Sequence, residues 1–235
     1  DEFDIRDPLD RVRPFDTRGH RTYSDEEPNS LAPADVPRFL AKLRELHPDL
    51  YAFALLGFVT GLRPSSLRPL RRKGPSADVK WSESLLLVRR SQTRRSEVME
   101  ATKTARDQRI VMPAELIEVL EWHIARLTPK ELASDLLFPN TAGGFLSVKA
   151  LSEPFAEVAK AIDLPYRLTP RGMRRTFNDL ARGAGVADVV TRAISGHATE
   201  TMQRHYSTAR DHEVTAGLTS VLALATTATR SPAPT

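Results

Sequence analysis

Four short stretches of the 235-residue sequence carry side chains that can do chemistry together. The first is Thr60-Gly61-Leu62-Arg63-Pro64, where an Arg follows a Gly break at the start of a new helical segment. The second is Ala101-Thr102-Lys103-Thr104, a lone Lys beside a hairpin turn. The third, Thr169-Pro170-Arg171-Gly172-Met173-Arg174, spaces two arginines three residues apart, which puts Arg171 and Arg174 on one helix face. The fourth is Ser195-Gly196-His197, with Tyr206 nine residues further on. Guanidinium groups fork onto phosphate with parallel N–H bonds, so the arginines suit a phosphate ligand. Each group also has an ordinary reading. Arg63 and Arg174 read as ion-pair residues, Lys103 as a strand-edge charge, His197 as a cap and Tyr206 as a half-buried aromatic.

The distribution of charge narrows the choice. The net charge is only +4, but residues 63–110 carry 13 basic against 5 acidic groups and residues 164–210 carry 8 against 3. Residues 1–62 (8 against 12) and 111–163 (4 against 8) are acidic. Two basic blocks folded onto one face make a phosphate-binding surface, and 27 of the 34 basic residues are Arg. The absence of Cys excludes disulfides and every thiolate-based metal site or nucleophile. No apolar run reaches the ~20 residues of a membrane span, and the charged N-terminus is not a signal peptide.

The elements that must hold these residues are mainly helical. Residues 1–30, with Pro8, Pro14 and Pro28, read as a linker. Ala34–Leu46 has an apolar stripe, and Leu50–Val59 is apolar all round and reads as a buried helix ending at Gly61. Ser84–Arg90, Glu97–Thr104 and Arg109–Met112 read as three consecutive antiparallel strands, the last two joined by a turn at Ala105–Gln108. Helices are expected over Ala114–Leu127, Val148–Ile162, Pro170–Arg182, Val186–Ile194, Thr199–Tyr206 and His212–Ala225, and residues 227–235 as a disordered tail.

The order TGLR, hairpin Lys, RxxR with TF, GH and a terminal Tyr resembles the tyrosine recombinase (phage integrase) family, over residues 31–226. The most specific stretch is Thr169–Thr208, where TPRGMRRTF resembles the family's HxxRHTF and SGH its LGH. The resemblance implies a mainly α (α+β) catalytic domain of the DNA breaking–rejoining type with a small three-stranded antiparallel sheet. It implies a chain that is the C-terminal half of a longer recombinase, with residues 1–30 the interdomain linker. Carried over by position, Arg63 and Arg174 grip the scissile phosphate with His197, Lys103 protonates the departing 5′ oxygen, and Tyr206 is the nucleophile. Arg171 stands where the family has His, and Ser66 where it has Glu. Expected with it are double-stranded DNA as partner, a tetramer on DNA docked through the final helix, no cofactor or metal, and a cytoplasmic, nucleoid-associated location. A catalytically impaired DNA-binding relative and a type IB topoisomerase are the alternatives.

Overall fold

The structure is a computed structural model that describes residues 29–93, 97–99, 108–196 and 211–227. Helix α1 (Val36–Leu46) buries Val36, Phe39, Leu40 and Leu43, the stripe its sequence shows. Helix α2 (Pro48–Thr60) is buried from Leu50 to Thr60, because it runs through the centre and packs on α1 and on the later helices. An edge-to-face ring pair joins it to α1, with Phe39 lying 5.9 Å from Phe58. One turn of helix, α3 (Pro64–Leu67), follows.

The strands are β1 (Val79–Lys80), β2 (Leu85–Val88), β3 (Ser91–Gln92), β4 (Val98–Met99) and β5 (Gln108–Val111). They form an antiparallel sheet of order β1-β2-β5 and a separate β3-β4 pair. This corrects the expected pairing of three consecutive strands. β2 pairs with β5, with Leu86 opposite Ile110, and the third member is the two-residue β1, too short to show an apolar period. Gln108, expected in a turn, is the first residue of β5 and sits opposite Val88. The segment 100–107 lies outside the described residues.

The remaining helices are α4 (Ala114–Ala125), α5 (Pro129–Ala133), α6 (Ser152–Ala161), α7 (Gly172–Gly183), α8 (Asp188–Ser195) and α9 (Asp211–Thr226). Short α5 escaped the periodicity reading and is set by its capping box, Thr128 with Glu131. Asn29 and Leu31, at the edge of the expected linker, already belong to the domain. The Asn29 carboxamide oxygen accepts from the Thr169 N–H at 2.8 Å, and the Leu31 N–H donates to Thr176 Oγ1 at 2.9 Å. Together they fasten the entry of α7.

Helix α9 buries Val214, Leu218, Val221, Leu222 and Ala225 against α1, α2, α7, α8 and β5 of its own chain. Its apolar stripe is thus covered in cis. The groove it fills is lined by apolar faces that the chain itself supplies. The expected helix Thr199–Tyr206 and the tail from residue 228 lie outside the described residues.

Candidate active site

Arg63 is placed by the two residues that flank it. Gly61 closes α2 with φ 64°, a left-handed cap that glycine adopts without strain, and its N–H donates to the Gly57 carbonyl at 3.0 Å. A Cβ at Gly61 would lie 2.5 Å from Phe177 Cδ1, so the absence of a side chain also lets α7 approach the turn. Pro64 opens α3 and holds the preceding residue extended, and Arg63 has φ −69° and ψ 144°. Its carbonyl accepts from Ser66 and Leu67, which leaves the guanidinium exposed on the outside of the turn.

Arg174 comes to the same place from α7. Gly172, Met173, Thr176, Phe177, Leu180 and Ala181 bury the inner face of this helix, and Arg174 lies half-buried at its edge. Its Nη1 donates to the Gly61 carbonyl and to the Ser195 carbonyl, both at 2.7 Å. One guanidinium therefore joins the end of α2, two residues before Arg63, to the last residue of α8, two residues before His197. Burial, and then the nearby charge of Arg63, pull the Arg174 pKa down to about 10. It stays cationic at neutral pH, but at a cost that an anion lying between the two arginines would relieve.

Of the other expected site residues, Arg171 is the exposed N-cap of α7, one turn before Arg174. Ser66 stands in α3, one turn after Arg63, with only a hydroxyl to offer. Lys103, His197 and Tyr206 lie outside the described residues. The structure thus brings Arg63 and Arg174 together and places Arg171 at the start of the same helix.

Sequence reasoning missed the side chains that brace the end of α8, the α3 turn and the sheet. Gln108 Nε2 donates to the Ala193 carbonyl at 3.2 Å and to the Ile194 carbonyl. Buried Arg68, directly after α3, donates from Nε to Gln92 Oε1 at 2.6 Å and from Nη2 to the Gln92 carbonyl at 3.2 Å, which fixes α3 to β3. Buried Asp78 accepts from Arg89 at 2.9 Å, from Arg90 at 2.6 Å and from the Arg71 N–H at 2.9 Å. A single Gln or Asp in a basic stretch carries no local signal. These partners are 7 to 86 residues apart in the chain and meet only through the fold.

Comparison with solved structures gives the same architecture. The Tn1549 transposon integrase, in complex with a circular intermediate DNA, superposes with a TM-score of 0.63 at 23% identity, over 81% of this chain and 65% of that one. XerA recombinase gives 0.54 at 18% identity, over 90% and 67%. XerH site-specific recombinase, bound to its difH substrate, gives 0.53 at 21%, over 77% and 51%. The chain thus spans just under two thirds of the transposon integrase structure, and at these identities the likeness shows the fold. No curated protein sequence matches the chain. The sequence model of the phage integrase family matches residues 29–213, most of the chain, and the shared fold agrees with it. The protein belongs to the phage integrase family, the tyrosine recombinases.

Proposed function

We propose that this domain cleaves and rejoins DNA as the catalytic part of a site-specific recombinase, through a 3′-phosphotyrosyl intermediate and without metal or ATP. The observation that carries the reading is the convergence of Arg63 and Arg174 on the Gly61 turn, where Arg174 bonds the Gly61 carbonyl and lies within reach of the Arg63 charge. Attack on a phosphodiester crowds negative charge onto the non-bridging oxygens. Fixed guanidiniums stabilise that state more than the ground state.

In this scheme the Tyr206 oxygen bonds to phosphorus as its proton leaves, and the bond to the 5′ oxygen breaks. Lys103 gives the departing oxygen its proton. His197 adds a hydrogen bond to the phosphate. A tyrosine hydroxyl has an ordinary pKa of about 10, and the cationic arginines favour its phenolate. Arg171 cannot act as the base that a His would supply at its position. That proton therefore passes to His197 or water. A second 5′ hydroxyl reverses the step and rejoins the strand. Self-association into a tetramer on DNA is part of the proposal. Docking through α9 would require that helix to leave its own groove.

Covalent trapping tests the scheme. The full chain is incubated with nicked duplexes cut from the DNA flanking its gene, then denatured in detergent. An adduct at the 3′ end, present in wild type and absent in Tyr206→Phe while DNA binding persists, is the expected result. Tight binding without any adduct would overturn it. Arg171 and Ser66 would then mark a binding module with a decayed site. Relaxation of a supercoiled plasmid without joining two sites would instead indicate a topoisomerase.

A further inference from the structure

The last turn of any helix leaves carbonyls that no N–H of the helix reaches. At the end of α8, three of these in succession are taken by two side chains from elsewhere. Gln108 Nε2, from β5, donates to Ala193 and Ile194, and Arg174 Nη1, from α7, donates to Ser195. The next residue, Gly196, has φ 65°, and a Cβ there would stand 2.6 Å from Gln108 Oε1. Glycine is therefore what allows the carboxamide to lie along the turn. The backbone of Gln108 is held by the β2–β5 ladder, opposite Val88. The carboxamide thus transmits the position of the sheet to the α8 terminus.

We propose that Gln108 is a positioning residue for Arg174. By holding the Ala193 and Ile194 carbonyls it fixes where the Ser195 carbonyl lies, and that carbonyl, together with the Gly61 carbonyl, sets the direction of the Arg174 guanidinium. The inference rests on reading Arg174 as a phosphate ligand, because only a phosphate gives that direction a consequence. The residue type suits the task. One amide nitrogen carries two hydrogens for two carbonyls and adds no charge. A Lys or Arg here would also satisfy the negative end of α8, but it would set a third cation beside Arg174 and Arg63. A Glu would face the carbonyls with no donor and draw Arg174 toward itself.

The test compares Gln108→Ala and the isosteric Gln108→Glu with wild type, using the full chain and the nicked flanking duplexes. Single-turnover adduct formation is expected to slow by about 10- to 100-fold, the scale of a misplaced catalytic group, with the dissociation constant for DNA unchanged. In an Arg174→Ala background, Gln108→Ala is expected to slow the reaction no further, since two residues acting through one another are not additive. An unchanged adduct rate, or an equal slowing with and without Arg174, would overturn the proposal. A second readout needs no activity. The Arg174 Nε–Hε NMR signal, assigned through Arg174→Lys in DNA-free protein, should move in both Gln108 variants. If wild type forms no adduct on any duplex, the recombinase reading fails and this signal still decides. A signal that stays at its wild-type position in both folded variants overturns the role of Gln108. If Gln108→Ala fails to fold, Gln108→Glu carries the comparison.

Discussion

The two basic blocks of the sequence look alike in composition and are used in different ways. In residues 63–110, five arginines turn inward to make structure. Arg68 holds Gln92, Arg71 pairs with Asp135, and Arg72 donates to the Leu132 and Leu136 carbonyls. Arg89 and Arg90 share the buried carboxylate of Asp78. Burial lowers the pKa of Arg68 and Arg72, as expected for cations taken from water. Arg63 and Arg109 of that block stay exposed, and in residues 164–210 a larger share of the described arginines does so. Arg167 and Arg171 are exposed, Arg182 makes a surface pair with Asp179, and Arg174 sits half-buried at the meeting of three elements. A positive block is therefore not a phosphate surface by virtue of its charge. What separates Arg68, Arg72 and Arg90 from Arg63, Arg167 and Arg171 is whether the side chain is taken into the protein, and each block holds arginines exposed to solvent.

Removing Asp78 should produce the largest effect, and it should be one of stability. Asp78→Ala strips the carboxylate from two arginines, one of which, Arg90, has a side chain only 7% exposed. A buried charge left without its partner costs about 3–5 kcal/mol. Thermal or urea unfolding should show that loss, with adduct formation intact in the fraction that remains folded. Arg174→Ala should do the opposite. It is expected to slow cleavage by about 10²–10³, as loss of one oxyanion donor does, and to lower the melting temperature less than Asp78→Ala. If Asp78→Ala slowed the chemistry, or Arg174→Ala barely did, the contrast between the blocks would fail.

Much of the scaffold was legible in the sequence, for reasons visible in particular residues. The stripe Val36, Phe39, Leu40 and Leu43 and the all-apolar Leu50–Val59 declared α1 and α2, because helical period and length report burial directly. Gly61 and Pro64 marked the turn that presents Arg63. The sheet was less legible. Its pairing depends on which strands meet across the 100–107 segment, and β1 is two residues long, so neither leaves a local pattern. The pairing of Arg63 with Arg174 was reached through motif order and not through periodicity. The braces Gln108, Gln92 and Asp78 stayed hidden because each acts on a backbone or side chain that only the fold brings near.

The smallest prediction is the sharpest on the comparison, because it sets an exposed arginine against a half-buried one. Arg171 stands exposed at the N-cap position of α7, one turn before Arg174, whereas Arg89 in the first block is bonded to Asp78 and to the Ser76 and Ala77 carbonyls. A cation that contacts a DNA phosphate releases a counterion, so each such contact adds about one to the slope of log affinity against log salt. Arg171→Ala should therefore lower that slope by about one. Arg89→Ala should leave the slope alone and lower the melting temperature, since its hydrogen bonds close inside the protein. The measurement is DNA affinity across a salt series for both variants and wild type. Equal slope changes would mean that Arg89 reaches phosphate as Arg171 does, and that internal bonding does not remove an arginine from the binding surface. A change confined to Arg171 would place Arg171 against DNA, at the start of the helix that also carries Arg174, and would leave Arg89 to the scaffold.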